Sequence, residues 1–256
     1  MANHNGAKTK EKPVRLSPFF ATEYEKEQLI KMRDSFAFDD VEKLPQVVVL
    51  LAGPPGVGKT HTACTMAKGG PVYILDTEQR AAIVARKFKQ MGKEIYLKVC
   101  RTYQDLVVSV KAINRLNKPG TIIFDSGTDL SVFTEIAYLE RTRLEKVFPL
   151  FNWGEVYAMS NALIDEAKIG GHRIVITARV KERYANDKPT GEIVPKVYDP
   201  VLYKADVSIL WKDRTAQPEL YKNGQAKDLT VPVPENIDLP DFINQLINLS
   251  TKTKKG

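Results

Sequence analysis

The 256-residue chain has few of the residues that build disulfide frameworks or metal clusters. It contains two cysteines, Cys64 and Cys100, and three histidines, and neither type has the spacing of a metal site. No apolar run approaches the roughly 18 residues that cross a bilayer, and residues 1–15 lack the apolar segment of a signal peptide. We therefore expect a cytoplasmic protein, located in the host cytoplasm if its source is viral, and we expect no membrane partner.

The excess of positive charge lies mainly at the two ends of the chain. The formal net charge is +7, of which residues 1–16 carry +3 and residues 249–256 another +3. We expect the tails, residues 1–16 and 250–256, to be disordered and residues 17–249 to form a single domain. Because the remaining body is close to neutral, solubilising tails explain the charge at least as well as a nucleic-acid partner does.

Apolar runs alternate with segments of helical character from residue 46 onwards. Five of these runs have the length of buried strands and fall at residues 47–52, 72–75, 95–99, 121–125 and 173–177. Continuous apolar strands that alternate with helices are typical of a parallel sheet covered on both faces. The sequence therefore predicts an α/β fold with a mainly parallel, twisted sheet and helices on both faces.

The C-terminal part of the chain has a different character. Residues 206–211 and 219–222 are predicted to form a β-hairpin, and a short helix is predicted near residues 240–249. Residues 185–200 contain three prolines and several charges, so we expect a long loop there. Long loops in compact domains are often functional.

An octapeptide that follows the first predicted strand indicates a phosphate site. It matches the Walker A pattern GxxxxGK[ST] and comprises Gly53, Pro54, Pro55, Gly56, Val57, Gly58, Lys59 and Thr60. Its glycines allow successive N–H groups to face phosphate oxygens. Lys59 is predicted to reach the β- and γ-phosphates, Thr60 to coordinate Mg²⁺ and His61 to complete the ATP contacts. The motif predicts ATP and Mg²⁺ as cofactors and leaves the preference between ATP and GTP open.

Asp125 ends the fourth predicted strand and is the predicted second ligand of Mg²⁺. Many ATPases of this kind place a glutamate directly after this aspartate to activate the attacking water, but here the next residue is Ser126. Two other carboxylates, Asp76 and Glu78, follow the second predicted strand and reach the same edge of the sheet. Spacing alone leaves open whether they act in catalysis or cap the next helix.

The order of these motifs resembles that of the RecA-like ATPases. A P-loop, a strand ending in Asp-x-Glu and an apolar strand ending in Asp-Ser occur at residues 53–60, 76–78 and 121–126. The resemblance covers roughly residues 46–225 and is closest to the small phage-type RecA-like ATPases, some of which are single-strand-annealing recombinases. It implies that Glu78 polarises the attacking water. The lack of a glutamate after Asp125 also argues against the AAA+ class, which often shares the loop GPPGVGKT.

The resemblance also implies roles for residues beyond the fifth strand. The family has a γ-phosphate-sensing glutamine or histidine where this chain has Arg179, so we expect Arg179 to contact the phosphate. The family binds DNA through the next segment, here Val180–Lys204, with Lys181, Arg183, Tyr184, Lys188 and Lys196 as the DNA-binding candidates. Lys222 resembles a basic residue that a neighbouring subunit supplies in trans, which implies a homo-oligomer.

Three functions are compatible with these features. The leading one is a RecA-like, DNA-dependent ATPase that acts on single-stranded DNA in recombination, repair or replication. The second is a regulatory or assembly ATPase that binds no nucleic acid, since residues 179–204 have a net charge of only +2. The third is a small-molecule or nucleotide kinase, which usually needs an arginine-rich lid.

Overall fold

The computed structural model describes residues 46–145, 152–223 and 232–253. The predicted tail of residues 1–16 lies outside these ranges. In chain order the described strands are β1 (Val48–Ala52), β2 (Val72–Asp76), β3 (Ile95–Val99), β4 (Thr121–Asp125), β5 (Arg173–Ala178), β6 (Val180–Ala185), β7 (Lys188–Pro195), β8 (Val207–Leu210) and β9 (Glu219–Asn223). The helices are α1 (Lys59–Cys64), α2 (Ala82–Gln90), α3 (Tyr103–Arg115), α4 (Gly127–Thr142), α5 (Trp153–Ile169), α6 (Asp199–Lys204) and α7 (Leu239–Thr253), and a 3₁₀ turn, Thr65–Gly69, continues α1.

Seven strands form one sheet in the spatial order β3-β2-β4-β5-β1-β8-β9. All neighbours in this sheet run parallel except β9, which pairs antiparallel with β8. The order places β5 between the P-loop strand β1 and the strand that ends in Asp125, while β2 lies directly beside β4. The α/β prediction with a mainly parallel sheet is confirmed.

Alternate residues of the central strands pack into two separate cores. In β1, Val49 and Leu51 face the core that includes residues of α1, α2 and α7. Val48 and Leu50 face the opposite core, which includes residues of α3, α4 and α5. Both faces of the sheet are therefore covered, which explains why these strands are apolar throughout rather than alternating.

The prediction of a long loop at residues 185–200 is wrong. Strands β6 and β7 pair antiparallel as a separate two-stranded sheet, the β6–β7 hairpin, and α6 follows it. Asn186 and Asp187 form the turn with φ of 51° and 59°, which Asn and Asp tolerate better than most residues. The prolines at positions 189 and 195 are compatible with this sheet because each of its two strands is an edge strand.

The predicted C-terminal hairpin is present as β8 and β9. Strand β8 also pairs in parallel with β1 and so extends the main sheet. The last helix, α7, runs to Thr253 rather than ending near residue 249, so the predicted tail of residues 250–256 begins within it. Among the described residues, no helix has the length and apolar character that spanning a membrane requires.

Candidate active site

The P-loop connects β1 directly to α1 at the carboxyl edge of the sheet. Gly56 and Gly58 have φ of 88° and 94°, a conformation that glycine adopts without steric cost. Within the described ranges, a Cβ at either position would have no atom within 4 Å, so both glycines border open space. Gly53 is confined instead, because a Cβ there would lie 2.9 Å from Cβ of Trp211.

Lys59, the first residue of α1, folds back over the loop. Its Nζ donates hydrogen bonds to the carbonyl oxygens of Gly53 at 2.8 Å and Pro54 at 2.9 Å. An ammonium group has three donors, so one remains for a further acceptor. Burial lowers the pKa of Lys59, and the negative charges of Asp125 and Glu78 oppose that shift.

Asp125 is buried at the end of β4 and is held by two hydroxyl groups. Thr60 Oγ1 donates to Asp125 Oδ2 at 2.9 Å, and Thr177 Oγ1, near the end of β5, donates to Oδ1. Burial raises the pKa of Asp125, and these two hydrogen bonds oppose the shift. The two predicted Mg²⁺ ligands, Thr60 and Asp125, are therefore in direct contact.

Asp76 and Glu78 have different surroundings although both follow β2. Asp76 is buried and accepts hydrogen bonds from the backbone N–H groups of Arg80 at 3.3 Å and Ala81 at 3.0 Å. It therefore holds the turn between β2 and α2, and it does not act as a side-chain N-cap, because the N-cap position of α2 is Ala81. Glu78 takes no part in these hydrogen bonds, and its side chain is 22% exposed. The helix-capping alternative for these two carboxylates is therefore wrong in its strict form, although Asp76 is occupied by backbone N–H groups.

Glu78 shares Arg179 with a second carboxylate, Asp129. Arg179 Nε and Nη2 lie 3.0 and 2.8 Å from Glu78 Oε1, and Nη2 lies 3.4 Å from Asp129 Oδ1. Burial is the main cause that lowers the pKa of Lys59, and the positive charge of Arg179 lowers it further. The ammonium of Lys59 and the guanidinium of Arg179 therefore lie near each other. Within the described part of the chain, Glu78 Oε2 and Arg179 Nη1 have no hydrogen-bond partner.

The backbone of Arg179 connects this cluster to the β6–β7 hairpin. Its N–H donates to Thr128 Oγ1 at 3.0 Å, and that hydroxyl donates to the carbonyl oxygen of Lys196 at 2.9 Å. The N–H of Lys196 donates in turn to the carbonyl oxygen of Arg179 at 2.8 Å. Arg179 therefore lies at the base of the hairpin as well as beside Glu78.

The hairpin brings most of the predicted DNA-binding residues together. A cleft of about 580 Å³ is bordered by several side chains of the hairpin and α6, among them Lys181, Arg183, Tyr184 and Lys196. Tyr184 is 64% exposed. Arg183 is paired with Glu192 on the facing strand, with Nη1 2.8 Å from Oε2. Lys188, the fifth candidate, is exposed at the start of β7.

Two other predicted residues have different outcomes. The ring of His61 packs edge-on against Phe88 of α2 at 5.1 Å, and burial lowers its pKa. Its role in ATP binding stays a prediction. The backbone of Lys222 lies in β9, opposite Ser208, and its side chain is outside the described part of the structure.

Four residues that the sequence analysis did not single out contribute to the cluster. They are Thr77, Thr128, Asp129 and Thr177. Asp129 lies four residues after Asp125, in the first turn of α4, so helical spacing would have placed it at the same edge. Thr177 lies two residues before Arg179, near the end of a strand that the sequence predicted.

The residues at this edge fit ATP and Mg²⁺. The open P-loop, the spare donor of Lys59 and the nearby guanidinium of Arg179 suit a polyphosphate. A hydroxyl and one carboxylate are typical protein ligands of Mg²⁺, which keeps several of its waters. Within the described residues no group of three or more His, Cys, Asp or Glu side chains forms a metal cluster, so a site with more protein ligands is not present there.

The fold and this edge of the sheet define a P-loop ATPase domain. The chain belongs to the family described as an AAA domain, which matches residues 46–210. The presence of Ser126 instead of a glutamate after Asp125 was expected to place the chain outside the AAA+ class. The match to an AAA domain does not support that expectation. No curated protein matches the chain.

One similar solved structure is a prototypical ATPase from the type III secretion system of pathogenic bacteria. It is 16% identical with a TM-score of 0.44, and the match covers 64% of this chain and 52% of that chain. The chain therefore spans about half the length of that ATPase.

Proposed function

We propose that this protein is a RecA-like, Mg²⁺-dependent ATPase that acts on single-stranded DNA in recombination, repair or replication. The observation that carries the ATPase part is the placement of Glu78 at the same edge as Lys59, Thr60 and Asp125. Asp76 is occupied by the backbone N–H groups of Arg80 and Ala81 in the turn before α2. Glu78 therefore remains as the carboxylate that can accept a proton, and its Oε2 has no hydrogen-bond partner among the described residues.

Each residue of the site has a distinct role in this proposal. Lys59 and the backbone N–H groups of the P-loop bind the phosphates, and Thr60 and Asp125 would hold Mg²⁺. Bound Mg²⁺ would supply electrostatic stabilisation of the charge on the phosphates. Glu78 orients the attacking water and accepts its proton.

Arg179 contributes in a second conformation of its side chain. In the present structure its guanidinium is shared between Glu78 and Asp129. A γ-phosphate carries more negative charge than a carboxylate and attracts the same donors. We expect Arg179 to move towards that phosphate when ATP binds, which leaves Glu78 unpaired and able to act as a base.

The β6–β7 hairpin is the proposed DNA-binding element. Lys181, Arg183, Tyr184 and Lys196 border one cleft, and basic residues beside an exposed aromatic ring suit single strands. The hydrogen bonds between Arg179, Thr128 and Lys196 offer a route by which DNA on the hairpin affects the ATPase site. This arrangement favours single-stranded DNA as the partner of the hairpin.

A regulatory or assembly ATPase without nucleic acid is the second candidate. Part of the charge on the hairpin is neutralised internally, because Arg183 pairs with Glu192. The carboxylate of Glu182 accepts a hydrogen bond from the backbone of Gly191 at 3.0 Å. Residues 179–204 retain a net charge of only +2, so a solvated hairpin accounts for these charges without DNA.

A homo-oligomer forms part of the proposal through Lys222. Its backbone lies in β9, the edge strand of the sheet, and the resemblance to RecA-like ATPases implies that it acts in the site of a neighbouring subunit. Sedimentation velocity with and without ATP tests this idea together with turnover by Lys222→Ala. ATP-independent sedimentation, or normal hydrolysis by the variant, would remove the oligomer from the proposal.

Steady-state ATP turnover separates the candidate functions. It is measured in buffer alone, with single-stranded DNA and with duplex DNA of the same length. The proposal predicts Mg²⁺-dependent hydrolysis that single strands stimulate more than duplex. Hydrolysis that neither DNA changes would favour the regulatory ATPase, and no hydrolysis under any condition would contradict the ATPase itself.

A further inference from the structure

The geometry points to Asp129 as a positioning residue for ATP hydrolysis, an inference that rests on the proposed ATPase function. Its two carboxylate oxygens contact different parts of the site. Oδ1 lies 3.4 Å from Arg179 Nη2, and Oδ2 accepts a hydrogen bond from Thr77 Oγ1 at 3.0 Å. Asp129 thus connects the guanidinium to the residue that directly precedes Glu78.

The fold holds Asp129 in place independently of these contacts. The residue lies in the first turn of α4, and its backbone N–H donates to the side chain of Ser126 at 3.4 Å. Its side chain is 19% exposed, close to the 22% of Glu78. The carboxylate is therefore a fixed and partly desolvated charge. Its interaction with a guanidinium is stronger than that of a carboxylate at an open surface.

A second carboxylate gives Arg179 an anchor that does not depend on Glu78. A guanidinium has five N–H donors, and Nη2 of Arg179 is already shared between the two carboxylates. When Arg179 turns to an anionic phosphate, Asp129 keeps the guanidinium at the site while Glu78 is released. Without the charge of Asp129, Glu78 is the one carboxylate among the described residues that still pairs with Arg179, which then holds the base more firmly.

The contact with Thr77 supplies the alternative role. The hydroxyl of Thr77 accepts from the N–H of Ser126 at 2.8 Å and has one proton, with Asp129 Oδ2 at 3.0 Å and the carbonyl oxygen of Asp125 at 3.1 Å. Asp129 could therefore act only by fixing the β2–α2 connection. An Asn side chain separates the two roles, because its amide oxygen still accepts from Thr77 but it has no negative charge for Arg179.

The test is a set of variants of the full chain assayed for kcat and KM of ATP hydrolysis. Asp129→Asn is expected to lower kcat about tenfold with KM within about twofold of wild type, because a charged partner of Arg179 is lost and the phosphate contacts remain. Asp129→Glu should restore part of that loss. In an Arg179→Ala background, Asp129→Asn should change kcat less than about twofold, because two residues that act through one contact are not additive.

The control is Thr77→Val, which removes the hydroxyl and leaves the charge of Asp129. Asp129→Ala, which removes both the charge and the acceptor for Thr77, is assayed beside it. If Asp129→Asn has the kcat of wild type while Thr77→Val and Asp129→Ala are equally impaired, the role of Asp129 is structural and the positioning role is overturned. An equal loss in the Arg179→Ala background would also overturn it. A wild-type chain that hydrolyses no ATP would overturn the proposed function and this inference with it, whereas an active wild type with an unaffected Asp129→Asn overturns this inference alone.

Discussion

Arg179, which follows β5, and Glu78, which follows β2, form an ion pair past the end of the intervening strand β4, with Nη2 2.8 Å from Oε1. The pair joins the residue at the base of the β6–β7 hairpin to the proposed general base. While it is intact, the guanidinium competes with water for the carboxylate of Glu78. Any process that draws Arg179 away, such as the arrival of an anionic phosphate, changes the state of the base.

Replacement of Arg179 by alanine tests this relationship. The variant should retain most of its ATP affinity, because Lys59 and the P-loop still bind the phosphates. Its turnover should fall roughly 10²–10³-fold, the usual effect of losing one donor that stabilises transition-state charge. Turnover above wild type would mean that Arg179 only restrains Glu78 and gives no help to the phosphate. Single-turnover measurements with saturating ATP distinguish these results.

Lys59→Ala should abolish tight binding of Mg·ATP while the fold survives. The ammonium of Lys59 donates hydrogen bonds to the carbonyl oxygens of Gly53 and Pro54 in the P-loop. It is the side-chain cation that the P-loop offers to the phosphates. Isothermal titration calorimetry with ATP measures the affinity, and circular dichroism checks the fold. A folded variant with unchanged affinity would remove Lys59 from the nucleotide site.

Gly53→Ala should destabilise the protein and weaken ATP binding. The added Cβ would lie 2.9 Å from Cβ of Trp211 and 3.1 Å from Val57 Cγ2, distances that require one segment to shift. Overpacking of this kind typically costs about 1–3 kcal/mol. The control is Gly154→Ala in the first turn of α5, where a Cβ has no neighbour within 4 Å among the described residues and should change the stability by no more than about 0.5 kcal/mol. Thermal unfolding of both variants against wild type measures the difference, and equal effects would contradict the described packing.

Simultaneous replacement of Lys181 and Arg183 by alanine should weaken binding to single-stranded DNA. Each lost phosphate contact removes about 0.7 from the slope of log affinity against log salt for single strands. Basal hydrolysis should persist, because neither residue is assigned to the phosphates, and stimulation by DNA should disappear. Fluorescence anisotropy at several salt concentrations measures the slope.

Two controls keep this DNA experiment specific. The pair Lys111→Ala and Arg115→Ala removes the same charge from exposed positions of α3 and should leave the salt slope unchanged. The basic ends of the chain can bind any polyanion, so the measurement is repeated on residues 17–253, which retain all of α7. If this shorter protein hydrolyses ATP but has no affinity for single strands at low salt, the regulatory ATPase takes first place.

Much of the fold was predictable because the central strands are continuous apolar runs. β1, β2, β3, β4 and β5 all fall within about one residue of the predicted limits. Burial on both faces makes β1, β2, β4 and β5 largely apolar, and this signal does not depend on partners distant in sequence. Strand β3 is an edge strand with mostly exposed residues, and its short apolar run was still sufficient to predict it. The Walker A loop was equally accessible, since its chemistry lies in eight consecutive residues.

The hairpin at residues 180–195 was not predictable by the same rule. Its strands are mostly exposed, so they lack the apolar run and the alternation that indicate a strand. The three prolines and several charges of residues 185–200, with two of the prolines in the hairpin itself, indicated a loop instead. The ladder between β6 and β7 and the turn at Asn186 and Asp187 stabilise it, and these are pairings that a local pattern does not contain.

The side-chain contacts of the site were also beyond sequence reasoning. Spacing placed Asp76 and Glu78 at one edge but did not decide which of them bonds to the backbone in the turn before α2. That choice depends on the direction of each side chain relative to the N–H groups of Arg80 and Ala81. The ion pair of Arg179 depends in the same way on the adjacency of β2, β4 and β5 in space.

Turnover by Glu78→Gln, with Asp76→Asn as its matched control, tests the assignment of the base most directly. Glutamine keeps the shape of Glu78, so ATP affinity should stay close to wild type while kcat falls roughly 10²–10⁴-fold, the usual contribution of a general base. Asp76→Asn should mainly lower the free energy of unfolding, by about 1 kcal/mol, because it weakens the hydrogen bonds to the backbone N–H groups of Arg80 and Ala81. A folded Glu78→Gln variant with near wild-type turnover, beside an inactive Asp76→Asn, would contradict the assignment of Glu78 as the base.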